Sequence, residues 1–404
     1  MAGDRLAIEG GTPVRSAALA PWPSFDAAQV EAAAAVLRSG RVNYWTGDEG
    51  RHFERELARV AGCAHAVALA NGTVALELAL AALGIGAGDE VVVPSRTFLA
   101  SASSVMMRGA RPVFADVERE SQNLSAATVE AVLTPRTRAV VAVHLAGWPV
   151  AADELLALCQ RRGLFLIEDC AQAHGARYGG RPVGSLGHVA AFSFCQDKIV
   201  TTAGEGGALT TNDRELWSRA WSYKDHGKSW EAVYERQHPP GFRWLHEGPG
   251  TNWRLTELQS AVGRIGLQRL DGWVERRRAH AARLTARLAA VTALRLPTPP
   301  PEVYHAYYKY YAFLELEGLR DGWSRDRVMQ AIAAEGIPCG SGSCSEIYLE
   351  QAFPPALRPS PRLPTAERLG ATSLMFMVHP TLSDAEIDDT GEAIAKVLHV
   401  ASAG

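Results

Sequence analysis

From residue 64 onward the chain alternates between short apolar runs and helical runs, and this alternation limits the possible folds more than any other feature. Apolar runs predict strands at 64–69, 90–93, 112–115, 139–143, 164–167, 189–192 and 208–211. Helices are predicted between some of them, at 73–83 and 153–162. Strands that are apolar along their whole length are typical of parallel sheets buried on both faces. The pattern therefore predicts an α/β fold with a mostly parallel sheet covered by helices.

The pattern changes after residue 250, where the alternation ends. A long helix rich in arginine and leucine is predicted over 255–290, and a proline cluster at 297–301 indicates a linker. A smaller segment with both helical and strand patterns follows. We therefore expect a large domain over residues 1–270, which includes the N-terminal segment, and a small C-terminal α+β domain over residues 271–404.

Composition excludes several classes of protein. The 404 residues are 47% hydrophobic and 21% charged, which suits a large globular protein with one main core and a second, smaller domain. The net charge of -3 gives no strong attraction to nucleic acid. The six cysteines include no C-x-x-C pair, so we expect neither a zinc site nor a disulfide framework.

The sequence also shows neither a membrane span nor a signal peptide. No apolar run reaches the length of a membrane span, and the first residues lack the apolar stretch of a signal peptide. We therefore expect a cytoplasmic enzyme with no bound metal and no membrane partner.

Lys198 lies between two predicted strands, 189–192 and 208–211, and a glycine-rich turn at 204–207 separates it from the second. We expect this position to hold the amine partly away from water and close to tightly turned backbone. A lysine whose charged form is disfavoured becomes a nucleophile and can form a Schiff base with an aldehyde. The glycine-rich turn is followed by a strand instead of a helix, so we interpret it as a frame for Lys198 and not as a nucleotide-binding loop.

Asp169 follows the predicted strand at 164–167, and ligands of open α/β sheets bind beyond the carboxyl ends of such strands. A carboxylate there can pair with a protonated ring nitrogen of a cofactor. An aspartate after a strand can also be a simple helix cap or loop residue. Gln172 and His174 follow closely, and Lys198 has a matching position after its own strand, so the pattern favours a functional role.

The Asn71-Gly72-Thr73 segment joins a predicted strand to a predicted helix. Backbone N–H groups at a helix N-terminus, together with the Thr73 hydroxyl, can hold a phosphate. The same residues are also typical of an ordinary turn. Ser193 has a similar ambiguity, because it can donate to a phosphate or simply be a polar residue in a strand.

Three further residues have two interpretations each. Phe98 follows a predicted strand and can stack on a flat cofactor ring or, as the sequence alone favours, belong to the core. Asn252 and Arg254 open the long helix, where they can cap it or reach an anionic ligand. The segment 224–246 is rich in Lys, Arg, His and Trp, which fits either the mouth of a substrate site or a solvated loop.

Together these residues resemble the DegT/DnrJ/EryC1/StrS family of sugar aminotransferases, a branch of the fold-type I pyridoxal-phosphate enzymes. The resemblance runs from residue 6 almost to the C-terminus, and the segments that carry it are 71–73, 168–175, 192–207 and 251–257. It implies an aspartate-aminotransferase-like large domain, a small C-terminal α+β domain and a homodimer with both sites at the interface.

The resemblance also implies roles for the residues around the cofactor ring. Lys198 is similar to the Schiff-base lysine, and Asp169 to the partner of the pyridine nitrogen. Gln172 matches the residue that contacts the ring hydroxyl or packs beside it. Phe98 matches the aromatic residue that stacks on the ring.

The phosphate end of the cofactor is implied in the same way. Gly72, Thr73 and Ser193 match the residues of the phosphate cup. Asn252 matches the residue that reaches the phosphate from the neighbouring subunit.

The implied reaction is transamination with pyridoxal 5′-phosphate, which passes through pyridoxamine 5′-phosphate. The implied donor is L-glutamate or L-glutamine, and the implied acceptor is a keto sugar, foremost a nucleotide-linked one in amino-sugar biosynthesis. A cyclitol ketone of the scyllo-inosose type is the alternative acceptor. The alternative reaction is a sugar dehydration, but relatives that dehydrate have His where this chain has Lys198. The segment 338–345 departs from the family's Pro-Leu-His pattern and leaves the contacts to the sugar open.

Overall fold

Every strand predicted from an apolar run is present in the computed structural model, which describes residues 5–402. The described strands are, in chain order, β1 (His65–Leu69), β2 (Glu90–Pro94), β3 (Arg111–Ala115), β4 (Thr137–Val143), β5 (Phe165–Asp169), β6 (Arg177–Tyr178), β7 (Arg181–Pro182), β8 (Val189–Ser193), β9 (Gly207–Thr211), β10 (Leu294–Arg295), β11 (Val303–Tyr304), β12 (Tyr310–Leu314) and β13 (Ser373–Phe376). The ends of the two predicted domains, residues 1–4 and 403–404, lie outside the described residues.

Helices connect the consecutive strands from β1 to β5. The described α-helices are, in chain order, α1 (Ala27–Ser39), α2 (Glu49–Val60), α3 (Gly72–Ala82), α4 (Ala100–Met107), α5 (Ala126–Glu130), α6 (Ala152–Arg162), α7 (Arg214–Tyr223), α8 (Trp230–Tyr234), α9 (Glu257–Leu288), α10 (Arg325–Ala334), α11 (Pro364–Thr372) and α12 (Asp384–Ala401). Within residues 5–402, no helix is both long enough and apolar enough to cross a membrane.

The central sheet has seven strands in the order β1-β9-β8-β5-β4-β2-β3. Strand β9 is antiparallel to both of its neighbours, and the other adjacent pairs are parallel. The predicted mostly parallel sheet is therefore confirmed. In this register Asp169 at the end of β5 lies beside Val143 of β4 and Ala191 of β8. The carboxyl ends of these three strands consequently meet at one edge of the sheet.

Both faces of the sheet are buried, as apolar runs without polar alternation predict. Successive residues of a strand point to opposite faces and here belong to two separate hydrophobic clusters. One cluster contains Val92, Val140 and Leu166, and the other contains Val91, Val141 and Ile167. The helices that cover the two faces supply further members of each cluster.

Helix α9 runs without a break from Glu257 to Leu288, with Thr256 as its N-cap, so the predicted boundary at residue 270 lies inside it. Its last turns pack into a third hydrophobic cluster with β12, β13, α10 and α12. The β10-β12-β13 sheet and these helices form the C-terminal α+β part of the chain. Leu6 is also buried in this third cluster. The proposed division at residue 270 stays a prediction.

Candidate active site

The carboxyl ends of the parallel strands open onto a cavity of about 960 Å³. Among the residues that line it are all of the predicted site residues except Asn252, namely Gly72, Thr73, Phe98, Asp169, Gln172, Ser193 and Lys198. Residues from the C-terminal part of the chain, including Tyr308 and Lys309, line the opposite wall. The structure thus brings together side chains that are spread over more than 200 positions of sequence.

Helix α3 begins at the wall of this cavity. Asn71 is its N-cap, and Asn71 Oδ1 accepts the N–H of Val74 at 3.0 Å. The N–H groups of Gly72 and Thr73 are the first two of the helix and have no acceptor within it. Both lie at the positive end of the helix dipole, which attracts anions.

Gly72 and Gly207 allow the N-terminus of α3 to lie very close to strands β8 and β9. A Cβ atom on Gly72 would lie 2.6 Å from Cβ of Ser193, and a Cβ atom on Gly207 would lie 2.2 Å from the carbonyl oxygen of Asn71. Neither neighbour can move easily, because both belong to β8 or to the α3 cap. Glycine at both positions therefore lets the helix N-terminus and the Ser193 hydroxyl converge on one small space.

Asp169 ends β5, and its side chain is buried. Its Oδ2 accepts a hydrogen bond of 2.8 Å from Ser101, and its Oδ1 accepts the N–H of Ala171 at 3.1 Å. Burial raises the pKa of the Asp169 carboxyl, and these two hydrogen bonds oppose the rise. A cation placed in the cavity would offset the burial and keep this carboxyl ionised.

Gln172 and Phe98 line the cavity in different ways. Gln172 Oε1 accepts the N–H of Ala146 at 2.8 Å, which fixes the orientation of the side-chain amide. Phe98 is 68% exposed. The interpretation of Phe98 as a core residue is therefore wrong, because its ring faces the cavity and solvent.

Lys198 Nζ lies 3.2 Å from Asp197 Oδ1 and 3.2 Å from the Tyr308 hydroxyl, and its side chain is 17% exposed. The Tyr308 hydroxyl in turn donates to Asp197 Oδ2. Trp22 Nε1 donates to the main-chain oxygen of Lys198 at 3.0 Å. Trp22 thus holds the main chain of Lys198, and Asp197 and Tyr308 hold its amine at the cavity wall.

Several polar residues line the cavity although the sequence did not predict them as site residues, among them Ser101, Asp197, Tyr308 and Lys309. Ser101 lies on α4, where nothing distinguishes it from Ser103 or Ser104 in the sequence. Asp197 directly precedes Lys198, and that adjacency was an available signal. Lys309 is a single cation within an aromatic strand pattern, which was a second signal.

Glu168 and His144 support the strand end that carries Asp169. The Glu168 carboxylate accepts the N–H groups of residues 184, 186 and 187 at 2.7 to 2.8 Å. His144 Nε2 lies 3.0 Å from Glu168 Oε2, while its Nδ1 accepts the N–H of Val150. The ligand atoms of His144, Glu168 and Cys170 lie within 4.8 Å of one another. Glu168 already accepts hydrogen bonds from four donors. The burial of its carboxylate is therefore explained without a metal.

Asn252 is exposed and does not line the cavity of its own chain. It pairs through the backbone with Asp225, whose buried carboxylate accepts Arg254 Nη1 at 2.6 Å. Arg254 is therefore engaged within its own chain. Lys228 also pairs with Asp225, at 3.3 Å.

The segment 224–246 is likewise absent from the wall of this cavity. Lys224 is completely buried and pairs with Glu54 at 3.2 Å. Further along, Phe242 and Trp244 are 75% and 78% exposed, and their rings pack edge to face. The segment 338–345 has the opposite placement, because Gly342, Ser343 and Cys344 do line the cavity.

Comparison with known proteins agrees with this geometry. The model of the DegT/DnrJ/EryC1/StrS aminotransferase family matches residues 23–395. The chain is 39% identical over 356 residues to the dTDP-3-amino-3,4,6-trideoxy-alpha-D-glucose transaminase of Streptomyces venezuelae, with 88% of each chain covered. It is 37% identical over 417 residues to the L-glutamine:2-deoxy-scyllo-inosose aminotransferase of Streptoalloteichus tenebrarius, with 97% of each covered.

Among solved structures, the aminotransferase from Psychrobacter cryohalolentis superimposes with a TM-score of 0.93 at 52% identity, over 95% of this chain and 99% of that one. This likeness confirms the fold-type I architecture of a large α/β part with a smaller C-terminal part. The chain therefore belongs to the DegT/DnrJ/EryC1/StrS aminotransferase family.

Proposed function

We propose that the protein is a pyridoxal 5′-phosphate-dependent aminotransferase that moves an amino group from L-glutamate or L-glutamine to a nucleotide-linked keto sugar. The observation that carries this proposal is the convergence of three groups on one cavity. These are the amine of Lys198, the buried carboxylate of Asp169 and the N-terminus of α3. Each matches one chemical feature of the cofactor, and family membership supplies the reaction type.

The residues present fit pyridoxal phosphate. The glycines at 72 and 207 open a cradle that a Cβ atom would fill, and the N–H groups of Gly72 and Thr73 with the Ser193 hydroxyl suit a phosphate there. The exposed ring of Phe98 offers a flat apolar face. The Asp169 carboxylate offers the anion that a protonated ring nitrogen requires.

When bound, the cofactor supplies an aldehyde that accepts an amine and a ring that withdraws electrons from the carbon that loses a proton. Lys198 Nζ would hold the aldehyde end and, once displaced by the donor, take the proton from the α-carbon of the amino acid. Asp197 and Tyr308 fix the position of Lys198 Nζ. Asp169 would keep the ring nitrogen protonated, because its buried carboxylate gains from a neighbouring cation.

The name of one similar protein supports a nucleotide-linked acceptor, since that relative is a transaminase of a dTDP-sugar. A second candidate is a cyclitol ketone, because the relative that acts on 2-deoxy-scyllo-inosose matches 97% of this chain. That relative uses L-glutamine, which supports glutamine as a donor here as well. The cavity itself is large enough for a sugar beside the cofactor.

We also propose a homodimer in which Asn252 serves the site of the partner subunit. Asn252 is exposed and lies off the cavity of its own chain. The exposed aromatic rings of Phe242 and Trp244 lie ten and eight positions before Asn252 in the chain, and such rings are typical of a surface that another protein covers.

One experiment tests the proposed function directly. The enzyme is loaded with pyridoxamine phosphate and mixed with keto sugars, with and without a linked nucleotide, and with cyclitol ketones. Return of the absorbance of the aldehyde form with a nucleotide-linked keto sugar is the expected result. Return with a cyclitol alone would favour the second candidate, and no return with any ketone would contradict the aminotransferase proposal.

A further inference from the structure

The cavity contains one cation that the proposed chemistry does not use. Of the residues that line it in the described chain, only Lys198 and Lys309 are basic. Lys198 is assigned to the aldehyde, so Lys309 has no role in the cofactor chemistry. Lys309 lies on the wall formed by the C-terminal part of the chain, beside Tyr308.

The ammonium group of Lys309 is poorly matched by its own chain. Its Nζ lies 3.3 Å from Met377 Sδ, 3.9 Å from Asp197 Oδ2 and 4.8 Å from the centre of the Tyr308 ring. A thioether is a weak acceptor, and 3.9 Å is too long for a hydrogen bond. Burial lowers the pKa of Lys309 to about 8, and neighbouring cations add to the effect. An incoming anion would stabilise its charged form.

Asp197 cannot fully neutralise this side of the cavity. Its two oxygens already accept from Lys198 and from the Tyr308 hydroxyl. Behind Tyr308, Arg277 is buried and donates to the Tyr308 carbonyl oxygen at 3.2 Å, while its Nε and Nη2 have no partner among residues 5–402. Lys198 and Lys309 therefore share the single carboxylate of Asp197, while Arg277 adds a third positive charge behind Tyr308.

We propose that Lys309 binds the α-carboxylate of the amino-acid donor. This assignment rests on the proposed function, because it requires an amino acid to react at this site. The amine of the donor must reach the position of Lys198 Nζ. The carboxylate of the donor is attached to the same α-carbon as this amine. Lys198 and Lys309 lie 3.2 Å and 3.9 Å from oxygens of the same Asp197 carboxylate. A donor with its amine near Lys198 can therefore place its carboxylate against Lys309.

The test follows the first half-reaction of the holoenzyme under single-turnover conditions, by the loss of the cofactor's aldehyde absorbance. L-glutamate and L-glutamine are compared with 4-aminobutyrate, which lacks the α-carboxylate. Lys309→Met should raise the donor concentration at half-maximal rate about tenfold or more. It should also reduce the preference for L-glutamate over 4-aminobutyrate by a similar factor, because only the carboxylate contact is lost.

Matched variants separate this effect from general damage. Lys309→Arg keeps the charge and should retain most of the preference, whereas Lys309→Gln removes the charge at similar length and serves if the methionine variant does not fold. Arg320→Met removes an exposed charge that does not line the cavity and should change nothing.

The possible failures are distinguishable. A wild-type enzyme that reacts with neither amino acid would overturn the proposed function and the role of Lys309 with it. Normal wild-type reaction with an unchanged preference in Lys309→Met and Lys309→Gln would overturn only the Lys309 assignment. Normal donor kinetics in these variants, with weaker reaction of carboxylated keto sugars alone, would assign Lys309 to the acceptor and also overturn the proposal.

Discussion

Ser101 Oγ donates a hydrogen bond of 2.8 Å to Asp169 Oδ2, and both side chains are buried at the cavity. Ser101 lies on α4 and Asp169 at the end of β5, so the contact joins two elements that are 68 residues apart. The Thr97 hydroxyl lies 2.9 Å from Ser101 and extends the chain of polar groups. This arrangement supports the charged form of a carboxylate whose burial would otherwise favour its neutral form.

Ser101→Ala should weaken the pairing of Asp169 with the cofactor ring. Loss of a hydrogen bond to a charged group raises the pKa of the buried carboxyl further and leaves an acceptor unsatisfied. We expect turnover to fall about tenfold with reduced cofactor affinity. Steady-state kinetics and cofactor titration check this. Ser103→Ala on the same helix is the control, and equal losses in both variants would contradict a specific role for Ser101.

Gly72→Ala should damage the phosphate cradle. The new Cβ would lie 2.6 Å from Ser193 Cβ, so the N-terminus of α3 must shift away from β8. We expect a loss of about 1–3 kcal/mol in unfolding free energy and a marked loss of cofactor affinity. Gly272→Ala is the matched control, because Gly272 is in α9 with no atom within 4 Å of a new Cβ, and it should gain about 0.5–1 kcal/mol. Unchanged cofactor binding in Gly72→Ala would contradict the cradle.

Mixing two inactive variants tests the shared site. Lys198→Ala and Asn252→Ala should each lose activity as homodimers, since each site needs one residue from each subunit. An equal mixture should recover about a quarter of wild-type activity, because half of the dimers are mixed and each has one intact site. The measurement is activity after joint refolding or subunit exchange. No recovery, despite mixed dimers seen by mass, would mean that each site takes both residues from the same subunit, and would contradict the shared site.

Buried histidines should make the apoprotein less stable in mild acid. Burial lowers the pKa of His174, His305 and His379 to about 3, whereas the unfolded chain has the ordinary value near 6.5. Between these values the unfolded state binds more protons, so the free energy of unfolding falls as the pH falls. Each histidine contributes at most about 1.4 kcal/mol per pH unit.

Urea unfolding at several pH values from about 7 down to about 5 measures this slope. His305→Asn should reduce the slope, because the variant no longer gains a proton on unfolding. His246→Asn, at an exposed position, should leave it unchanged. A free energy of unfolding that is constant or increases as the pH falls would contradict the account.

The sequence was sufficient for the central sheet and for the residues with a fixed place in the motifs. Strands such as β4 and β5 are apolar throughout, so their burial on both faces could be predicted from composition alone. Lys198, Asp169 and Gly72 could be found because each lies at or within a few residues of the end of such a strand. The β6-β7-β11 sheet could not, because strands of two residues have no periodicity.

The site residues that the sequence did not predict come close to Lys198 only through tertiary folding. Tyr308 is 110 residues from Lys198, yet the two side chains are hydrogen-bonded, and local sequence contains no signal for that contact. Phe98 was ambiguous for a related reason, since its local sequence does not show that its ring is 68% exposed at the cavity.

Borohydride reduction of the holoenzyme, followed by peptide mass spectrometry, tests the central claim most directly. The account predicts a pyridoxyl group on the peptide that contains Lys198, no such group in Lys198→Ala, and no turnover by that variant. An unmodified Lys198 peptide, or a pyridoxyl group on Lys309 instead, would contradict it.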